Sequence, residues 1–363
     1  MLGFLSRKAV IPKYGFPVDV VELDTQRVRN SAAAFEVSLQ RDLSIAIAEF
    51  APTSQLVANK KLWSSYGLKK VAEREWPRRL YKKCAEHQMF WQWNQGEEEP
   101  PTSCGHTLPV HEYVVPIFGF VTNRDDKPGD PAARPSRVFS TRPYFVRPLN
   151  DQQQELKFPA PSPLLVMQRA SPGVMVVLCE GRRGEGFFVC SSCGAGFRKR
   201  PADHKTPYGS PCSGMFSSVS LGHEFVTDVL RLQFLPKAPA DFQGSWFAYS
   251  LVSALVEGAA EVLEVPPNDL NATVISEASP IGVPPIVLYD NVPGGAGIVA
   301  RLEQADALRE AFEAAYERLN RCDCGEKTSC YGCLRSYRNQ FAHPHLQRGP
   351  VLRYLQQLLS QWL

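Results

Sequence analysis

Apolar residues recur every three or four positions in several segments of the chain, a spacing that places them on one face of an α-helix. The segment 31–50 has this pattern, and Pro52 is expected to end its helix, because proline lacks the amide hydrogen and clashes with the preceding turn. The same spacing predicts helices over 242–263, 303–320 and 351–362. The last third of the chain is therefore expected to be mostly helical.

Shorter apolar runs, bounded by Gly, Pro and Arg, have the pattern of β-strands. They occur at 114–121, 164–167, 174–179, 186–190 and 286–289. Two segments rich in Pro, at 123–135 and 158–163, are predicted to be loops. The combination predicts an α+β protein with a β-rich middle, a zinc-ribbon-like insertion and a mostly helical C-terminal module.

The chain has 363 residues, which exceeds one typical domain and favours two or three packed units. We expect an N-terminal region over 1–110, with an extended lead-in, an amphipathic helix and a basic stretch. A β-rich domain with the first metal site is expected over 111–236. A helical zinc-binding domain is expected over 237–363.

Composition narrows the class of protein. The hydrophobic fraction of 44% is that of a globular chain, and the net charge is only +3, so any affinity for nucleic acid has to come from a local patch. No apolar run reaches the roughly 18 residues that a membrane helix needs, and residues 1–24 lack the layout of a signal peptide. We therefore expect a cytoplasmic protein without membrane contact, in which the ten cysteines favour metal binding over disulfides.

Four cysteines lie within twelve residues directly after the helix predicted at 303–320. They are Cys322, Cys324, Cys330 and Cys333. Four closely spaced thiolates predict one tetrahedral zinc site. The alternative is a pair of disulfides or four unrelated thiols.

A second set combines the pair Cys190 and Cys193 with His204 and Cys212. A C-x2-C pair after a strand is typical of half a zinc site, and the later His and Cys can complete it. His223 is an alternative to His204. Because four protein ligands leave no coordination position for water, both sites are expected to be structural, and no catalytic residue is predicted.

A third and weaker set consists of Cys84 with His87 and Cys104 with His106. The spacing allows a ribbon-like zinc site, but a single Cys and His pair is easily coincidental. Cys179 lies inside an apolar run and is predicted to be a buried, unreactive thiol.

A basic stretch could bind nucleic acid, because cations neutralise phosphates while aromatic rings stack on unpaired bases. Its cations are Lys60, Lys61, Lys69, Lys70, Arg74, Arg78, Arg79, Lys82 and Lys83, interleaved with Trp63, Tyr66, Trp76 and Tyr81. The alternative is a solvated surface whose aromatic side chains turn inward to a core.

A glycine-rich turn at 293–297 lies between a predicted strand and a predicted helix, where free backbone amides could hold a phosphate. No Lys-Ser or Lys-Thr follows the glycines, so the turn is not a nucleotide-binding P-loop, and a turn required by packing is the alternative. Asp290 is expected to cap it. The sequence contains no motif for ATP hydrolysis.

Several of these segments together resemble the C-terminal zinc-binding (MZB) region of MrfA-type DEAD/DEAH-box helicases, which also occurs as the DrmB-like subunit of DISARM-type phage-defence systems. The resemblance rests on the four terminal cysteines and on PKYGFPVD at 12–19, EFAP at 49–52, CSSCG at 190–194, LGHEFVTD at 221–228 and LYDNVPGGAG at 288–297. Relatives carry two C-x2-C pairs around Cys84 and Cys104, whereas this chain keeps one cysteine in each.

The resemblance implies an accessory subunit that binds zinc and DNA, has no ATPase motor, and partners a separate ATP-dependent helicase in antiviral, restriction-like defence. One alternative is the C-terminal portion of a DEAD/DEAH-box helicase that acts in DNA repair. Others are a zinc-dependent nuclease and a protein-interaction scaffold.

Overall fold

The structure is a computed structural model. It describes residues 19–26, 28, 31–84, 89–102, 104–131, 139–149, 155–159, 162–242, 244–275 and 283–362. Its α-helices are α1 (Ala32–Phe35), α2 (Leu43–Glu49), α3 (Ser245–Val262), α4 (Ala305–Asn320) and α5 (Arg348–Gln361). Short 3-10 helices lie at Arg182–Gly184, Val299–Glu303 and Gln340–Ala342.

The strands lie mostly in the first two thirds of the chain, as the apolar runs predicted. In chain order they are β1 (Val20–Asp24), β2 (Leu39–Asp42), β3 (Gln55–Ala58), β4 (Lys61–Ser64), β5 (Gly67–Leu68), β6 (Arg78–Cys84), β7 (Met89–Trp93), β8 (His111–Val114), β9 (Phe120–Val121), β10 (Arg142–Pro148), β11 (Glu155–Phe158), β12 (Leu165–Arg169), β13 (Gly173–Cys179), β14 (Phe187–Cys190), β15 (Gly196–Phe197), β16 (His204–Lys205), β17 (Pro211–Cys212), β18 (Phe216–Thr227), β19 (Val229–Phe234), β20 (Leu270–Val274) and β21 (Ile286–Asp290).

Three larger sheets organise these strands. One has the order β2-β1-β9-β5, and another has the order β11-β12-β19-β21-β20. The largest follows β10-β13-β18-β8-β6-β7, with β14 paired to β18 and β15 paired to β14. The hairpins β3–β4 and β16–β17 stand apart from the three sheets. The α+β class and the β-rich middle are therefore confirmed.

The strand β18 is twelve residues long and has different neighbours along its length. Its first part, Phe216–Val219, pairs with β14, and its second part, Leu221–Thr227, pairs antiparallel with β13. Between them, Ser220 and Leu221 pair in parallel with β8. Because β19 follows directly and belongs to another sheet, β18 connects the set that contains Cys190 to the C-terminal part of the fold.

The segment LGHEFVTD in β18 makes contacts with several of the other segments on which the resemblance rests. His223 lies 3.2 Å from the carboxylate of Asp19, through Nε2 and Oδ2. The hydroxyl of Thr227 donates to the carbonyls of Asp290 and Val292 at 2.6 and 3.1 Å. These distant segments therefore meet along one strand.

The helix predicted over 31–50 is wrong as a single element. The segment contains α1, β2 and α2, because β2 pairs antiparallel with β1 and so leaves the helical path. The carboxylate of Asp42 accepts a hydrogen bond from the amide of Ser44 at 2.9 Å and caps the start of α2. Phe35, which a single helix over 31–50 would place on its apolar face, is 70% exposed.

The strand predicted over 114–121 is also interrupted. The strand β8 ends at Val114, and β9 begins only at Phe120. Between them the amide of Gly119 donates to the carbonyl of Pro116 at 2.9 Å, and Gly119 has a φ of 85°. That conformation closes a turn and suits glycine.

The helices predicted in the last third are confirmed as α3, α4 and α5, and they pack on the five-stranded sheet. Leu255, Phe312 and Leu355 are fully buried in this core. A second core includes Phe120 and Tyr289 and extends over the N-terminal sheet and β18. No helix in the described ranges is long and apolar enough to cross a membrane. The division at residues 110 and 236 stays a prediction.

The glycine-rich turn is organised by carboxylates of the chain itself. Asp290 is fully buried and accepts hydrogen bonds from the amides of Ala296, Ile298 and Val299 at 2.7, 3.0 and 2.8 Å. Asp228 accepts from Gly297 at 3.0 Å. The amides that could have held a phosphate are thus taken by two carboxylates, which favours the packing interpretation.

We predict that Asp290→Asn lowers the free energy of unfolding by about 3 kcal/mol, because the new amide group would present donors to backbone donors in a buried turn. Asp241→Asn is the matched control. Asp241 is exposed and lies 3.4 Å from Arg353, so its loss should cost less than about 1 kcal/mol. Urea denaturation followed by circular dichroism measures both, and equal effects would contradict the assignment.

Candidate metal centres

The four C-terminal cysteines converge where the chain leaves α4. The Sγ of Cys322 lies 3.4 Å from that of Cys324 and 3.5 Å from that of Cys330. The Sγ of Cys333 lies 3.6 Å from Cys324 and 3.8 Å from Cys330. A tetrahedral zinc site with Zn–S bonds of about 2.3 Å has sulfurs about 3.8 Å apart. The donor set and its spacing therefore fit a zinc ion.

Two arginines from neighbouring helices hold the loop that carries these cysteines. Arg348, at the start of α5, donates to the carbonyls of Cys324 and Leu319 at 3.0 and 2.9 Å. Arg318, near the end of α4, donates to the carbonyl of Cys333 at 3.3 Å. Sequence reasoning missed both residues, since nothing in their spacing from the cysteines links them to the loop.

The thiols of this cluster oppose one another's ionisation in the absence of a cation. Burial raises the pKa of Cys333 well above its usual range, and the neighbouring thiols of Cys324 and Cys330 add to the rise. Burial also raises the pKa of Cys330, but hydrogen bonds from Cys322 and the Gly332 amide outweigh it and bring the pKa to about 7. A divalent cation would remove the conflict, because it stabilises all four thiolates together.

The second cluster forms between the end of β14 and the hairpin β16–β17. Cys190 ends β14, and His204 faces Cys212 across the hairpin. The Sγ atoms of Cys190 and Cys212 lie 3.8 Å apart, and the Sγ of Cys193 lies 3.4 Å from Nε2 of His204. The four ligand atoms lie within 4.8 Å of one another. This set also fits a tetrahedral zinc ion.

The electrostatics of the second cluster suit metal ligation. Burial lowers the pKa of His204, which favours the neutral imidazole that binds metal. Burial opposes ionisation of Cys190, but hydrogen bonds from the backbone amides of Cys193 and Ser192 outweigh it and lower its pKa. His223, the alternative ligand, is instead buried beside Asp19.

Three residues of the third set lie close together in the structure, although their spacing in the sequence gave only a weak indication of a metal site. Cys84, at the end of β6, lies 3.3 Å from Nδ1 of His106, through its Sγ. The Sγ of Cys104 joins them within 4.8 Å, and both cysteines are buried. His87 lies outside the described residues. Two sulfurs and one imidazole nitrogen fit part of a zinc site, and a third zinc stays a prediction. None of the ten cysteines, all of which are among the described residues, forms a disulfide.

The basic stretch is largely neutralised by ion pairs within the chain. Its paired cations, with their acidic partners, are Lys61 with Asp130, Lys69 with Glu22 and Asp24, Lys70 with Glu75, Arg78 with Glu112, Arg79 with Glu224, Lys82 with Glu99 and Lys83 with Glu180. Lys60, in the turn of the hairpin β3–β4, and Arg74 are exposed. Their role in DNA binding stays a prediction.

The aromatic residues of this stretch do not form a stacking surface. Trp63, Trp76 and Tyr81 are buried, and the hydroxyl of Tyr66 donates to the carbonyl of Lys205 at 2.7 Å. The inward orientation that we considered as the alternative is therefore correct for the three buried rings.

Comparison with known families identifies the C-terminal part of the chain. Residues 251–334 match the MrfA Zn-binding domain, and this range contains all four cysteines of the terminal cluster. The chain thus has a zinc-binding domain of this type, from α3 through the cysteine loop. This finding agrees with the geometry of the four sulfurs.

Similarity outside this segment is more distant. The chain is 25% identical to the Druantia protein DruE of Escherichia coli (strain UMEA 4076-1) over 98% of its own length, and it spans 22% of the length of that relative. A crystal structure of the DUF1998 helicase MrfA bound to DNA aligns over 98% of this chain and 39% of that chain, with 12% identity and a TM-score of 0.43. A second, of MrfA bound to DNA and AMPPNP, has 15% identity and a TM-score of 0.29 and covers 68% of this chain and 26% of that chain. Likeness at this level establishes no shared fold.

We predict that Cys330→Ser lowers the zinc content by one ion per chain and unfolds the C-terminal part, because three ligands cannot hold the loop against α4 and α5. Cys179→Ala, which removes a buried thiol outside the three clusters, is the control and should keep the full zinc content. Elemental analysis with thermal unfolding measures both. Retained folding with one zinc fewer would contradict a structural role.

Proposed function

We propose that this chain is a zinc-binding and DNA-binding accessory part of a helicase complex and has no ATPase motor of its own. The observation that carries the proposal is the match of residues 251–334 to the MrfA Zn-binding domain, joined to the convergence of the Cys322, Cys324, Cys330 and Cys333 sulfurs. In this proposal zinc holds the last helices together, and the helicase partner supplies ATP hydrolysis.

The ligand sets argue against a chemical role for zinc. The terminal and second clusters each supply four protein ligands, whereas catalytic zinc sites keep a position for water or substrate. The absence of a P-loop and of acidic helicase boxes from the sequence supports the other part of the proposal, that the helicase partner supplies ATP hydrolysis. We therefore propose the accessory role rather than a zinc-dependent nuclease.

DNA is the proposed polyanionic partner. In the solved structures of MrfA the helicase is bound to DNA, and the present chain has basic side chains in the stretch 60–83. Since most of these cations are paired, the proposed affinity depends on exchanging internal carboxylates for phosphates. Such an exchange is weakened by salt, because counterions compete for the same cations.

Antiviral defence is the proposed setting. The sequence resembles DrmB-like subunits of DISARM-type systems, and the relative found by comparison is a Druantia protein. We propose that the chain acts in the cytoplasm with a separate helicase subunit, and that this setting is restriction-like defence against invading DNA.

A second candidate is a helicase in which the same sequence is part of one polypeptide, acting in DNA repair. The observation that favours it is the alignment with DruE, where the corresponding sequence makes up 22% of a longer protein. The two candidates share the zinc and DNA roles and differ in how the motor is connected.

We predict that the purified chain hydrolyses no ATP with or without DNA, and that it stimulates the DNA-dependent ATPase of a helicase that co-purifies with it. The physical reason is that the chain lacks a phosphate-binding motor motif but can hold DNA next to one. A coupled ATPase assay with and without the chain measures this. DNA-dependent ATP hydrolysis by the chain alone would contradict the assignment.

The DNA-binding part of the proposal has its own test. Replacing Lys69, Lys70, Arg78 and Arg79 together by Ala should weaken DNA binding and reduce its salt dependence, because those cations would no longer be available to phosphates. Fluorescence anisotropy across a salt series measures both quantities. Unchanged binding would refute this patch and leave the zinc assignment intact.

A further inference from the structure

A cleft of about 140 Å³ lies between α2, α3 and the chain that follows the terminal cysteines. This volume is roughly ten times what a single buried water requires, so the cleft admits a small chemical group. Its lining includes Ser44 from α2, Tyr249 from α3, and Tyr337, Arg338 and Phe341 from the chain after Cys333. The metal sites and the glycine-rich turn do not use these side chains.

Arg338 places a positive charge in this cleft. Its guanidinium donates to the carbonyl of Asn268 at 2.7 Å, and no carboxylate lies within 4.0 Å of it in the part of the chain that the structure describes. Asp42 and Asp269 act on it only through longer-range electrostatics, and burial lowers its pKa. A partly buried cation that contacts no carboxylate carries an uncompensated charge. A bound anion would compensate that charge and so lower the free energy of the site.

The other charges around the cleft are of both signs, and the nearest carboxylates have cationic partners. Glu49, which accepts from the hydroxyl of Tyr337 at 3.0 Å, lies 3.0 Å from Arg41. Arg142 lies behind the wall formed by Tyr249 and Phe341, with its guanidinium carbon 5.4 and 5.2 Å from the two rings. Glu257 lines the cleft, but its carboxylate lies 3.2 Å from Arg318. The acidic lining residue is therefore already compensated by a cation.

The segment that contains Arg338 has several cationic residues and no acidic ones. Residues 327–363 contain Lys327, Arg335, Arg338, Arg348 and Arg353 and no Asp or Glu. Beside Arg338, Tyr337 lines the cleft and is 52% exposed, although its hydroxyl donates to the carboxylate of Glu49. A cation next to an exposed aromatic ring is the combination that binds unpaired nucleotides, through phosphate contact and base stacking.

We propose that this cleft binds one nucleotide unit, with its phosphate at Arg338 and its base against Tyr337. The inference rests on the DNA-binding role proposed above and gives it a location away from the stretch 60–83. The ligand chemistry is a phosphate ester beside an aromatic base, which either a single-stranded nucleic acid or a free nucleotide could supply.

The test compares Arg338→Gln with Arg309→Gln in the full chain. Arg309 is an exposed residue of α4 that lies 3.2 Å from Glu313, so both variants remove one positive charge. With a labelled thymidine oligonucleotide in anisotropy, we expect Arg338→Gln to weaken binding at least about tenfold and Arg309→Gln less than about twofold. Thymidine monophosphate is titrated in parallel.

The outcomes separate the two proposals. Unchanged oligonucleotide binding by Arg338→Gln overturns the cleft and leaves the DNA role standing, whereas a wild-type chain that binds neither ligand overturns both. Equal affinity for oligonucleotide and monophosphate, both lost in Arg338→Gln, assigns the cleft to a free nucleotide.

A second measurement does not depend on the folding of a variant. Photocrosslinking of a bromouracil-substituted oligonucleotide to the wild-type chain, followed by mass spectrometry, should identify Tyr337 or Phe341, because both line the cleft. Crosslinks confined to the stretch 60–83 would overturn the proposal.

Discussion

The rest of the structure depends on the pairing of the long strand β18. It pairs with β14 at one end and with β13 at the other, so one continuous backbone sets the distance between the second cysteine cluster, which contains Cys190, and the C-terminal core. Close packing fixes its position, because a Cβ added to Gly222 would lie 2.3 Å from the ring of Tyr113. Thr227 and Asp228 then hold the glycine-rich turn.

The two four-ligand clusters lie in segments that regular structure does not hold in place. The hairpin β16–β17 and the loop after α4 have little regular structure of their own. The hairpin meets the end of β14 through Cys212 and Cys190, and the loop packs on the C-terminal core through its cysteines. Zinc in these positions would act as a cross-link between a loop and a sheet or helix. Such a module offers surfaces to a partner and to DNA without taking part in a reaction, which agrees with the accessory role that we propose.

The features that the sequence predicted well are local ones. Four cysteines within twelve residues are held close together by the chain itself, so their cluster was predictable from spacing alone. The two helices α4 and α5 were predictable because their apolar spacing is continuous. The segment 31–50 failed because pairing of β2 with β1, a non-local interaction, overrides its helical spacing. The ion pairs of the basic stretch could not be predicted for a similar reason, since Glu112, Glu180 and Glu224 are far from their cationic partners in sequence.

The central claim is that zinc in this chain is held by closed sets of protein ligands and has a structural role. X-ray absorption spectroscopy at the zinc edge of the purified chain tests it most directly. The account predicts four ligands per zinc, mostly sulfur at about 2.3 Å, with the remainder from histidine nitrogen. A water oxygen in the first coordination shell of the zinc would contradict the claim.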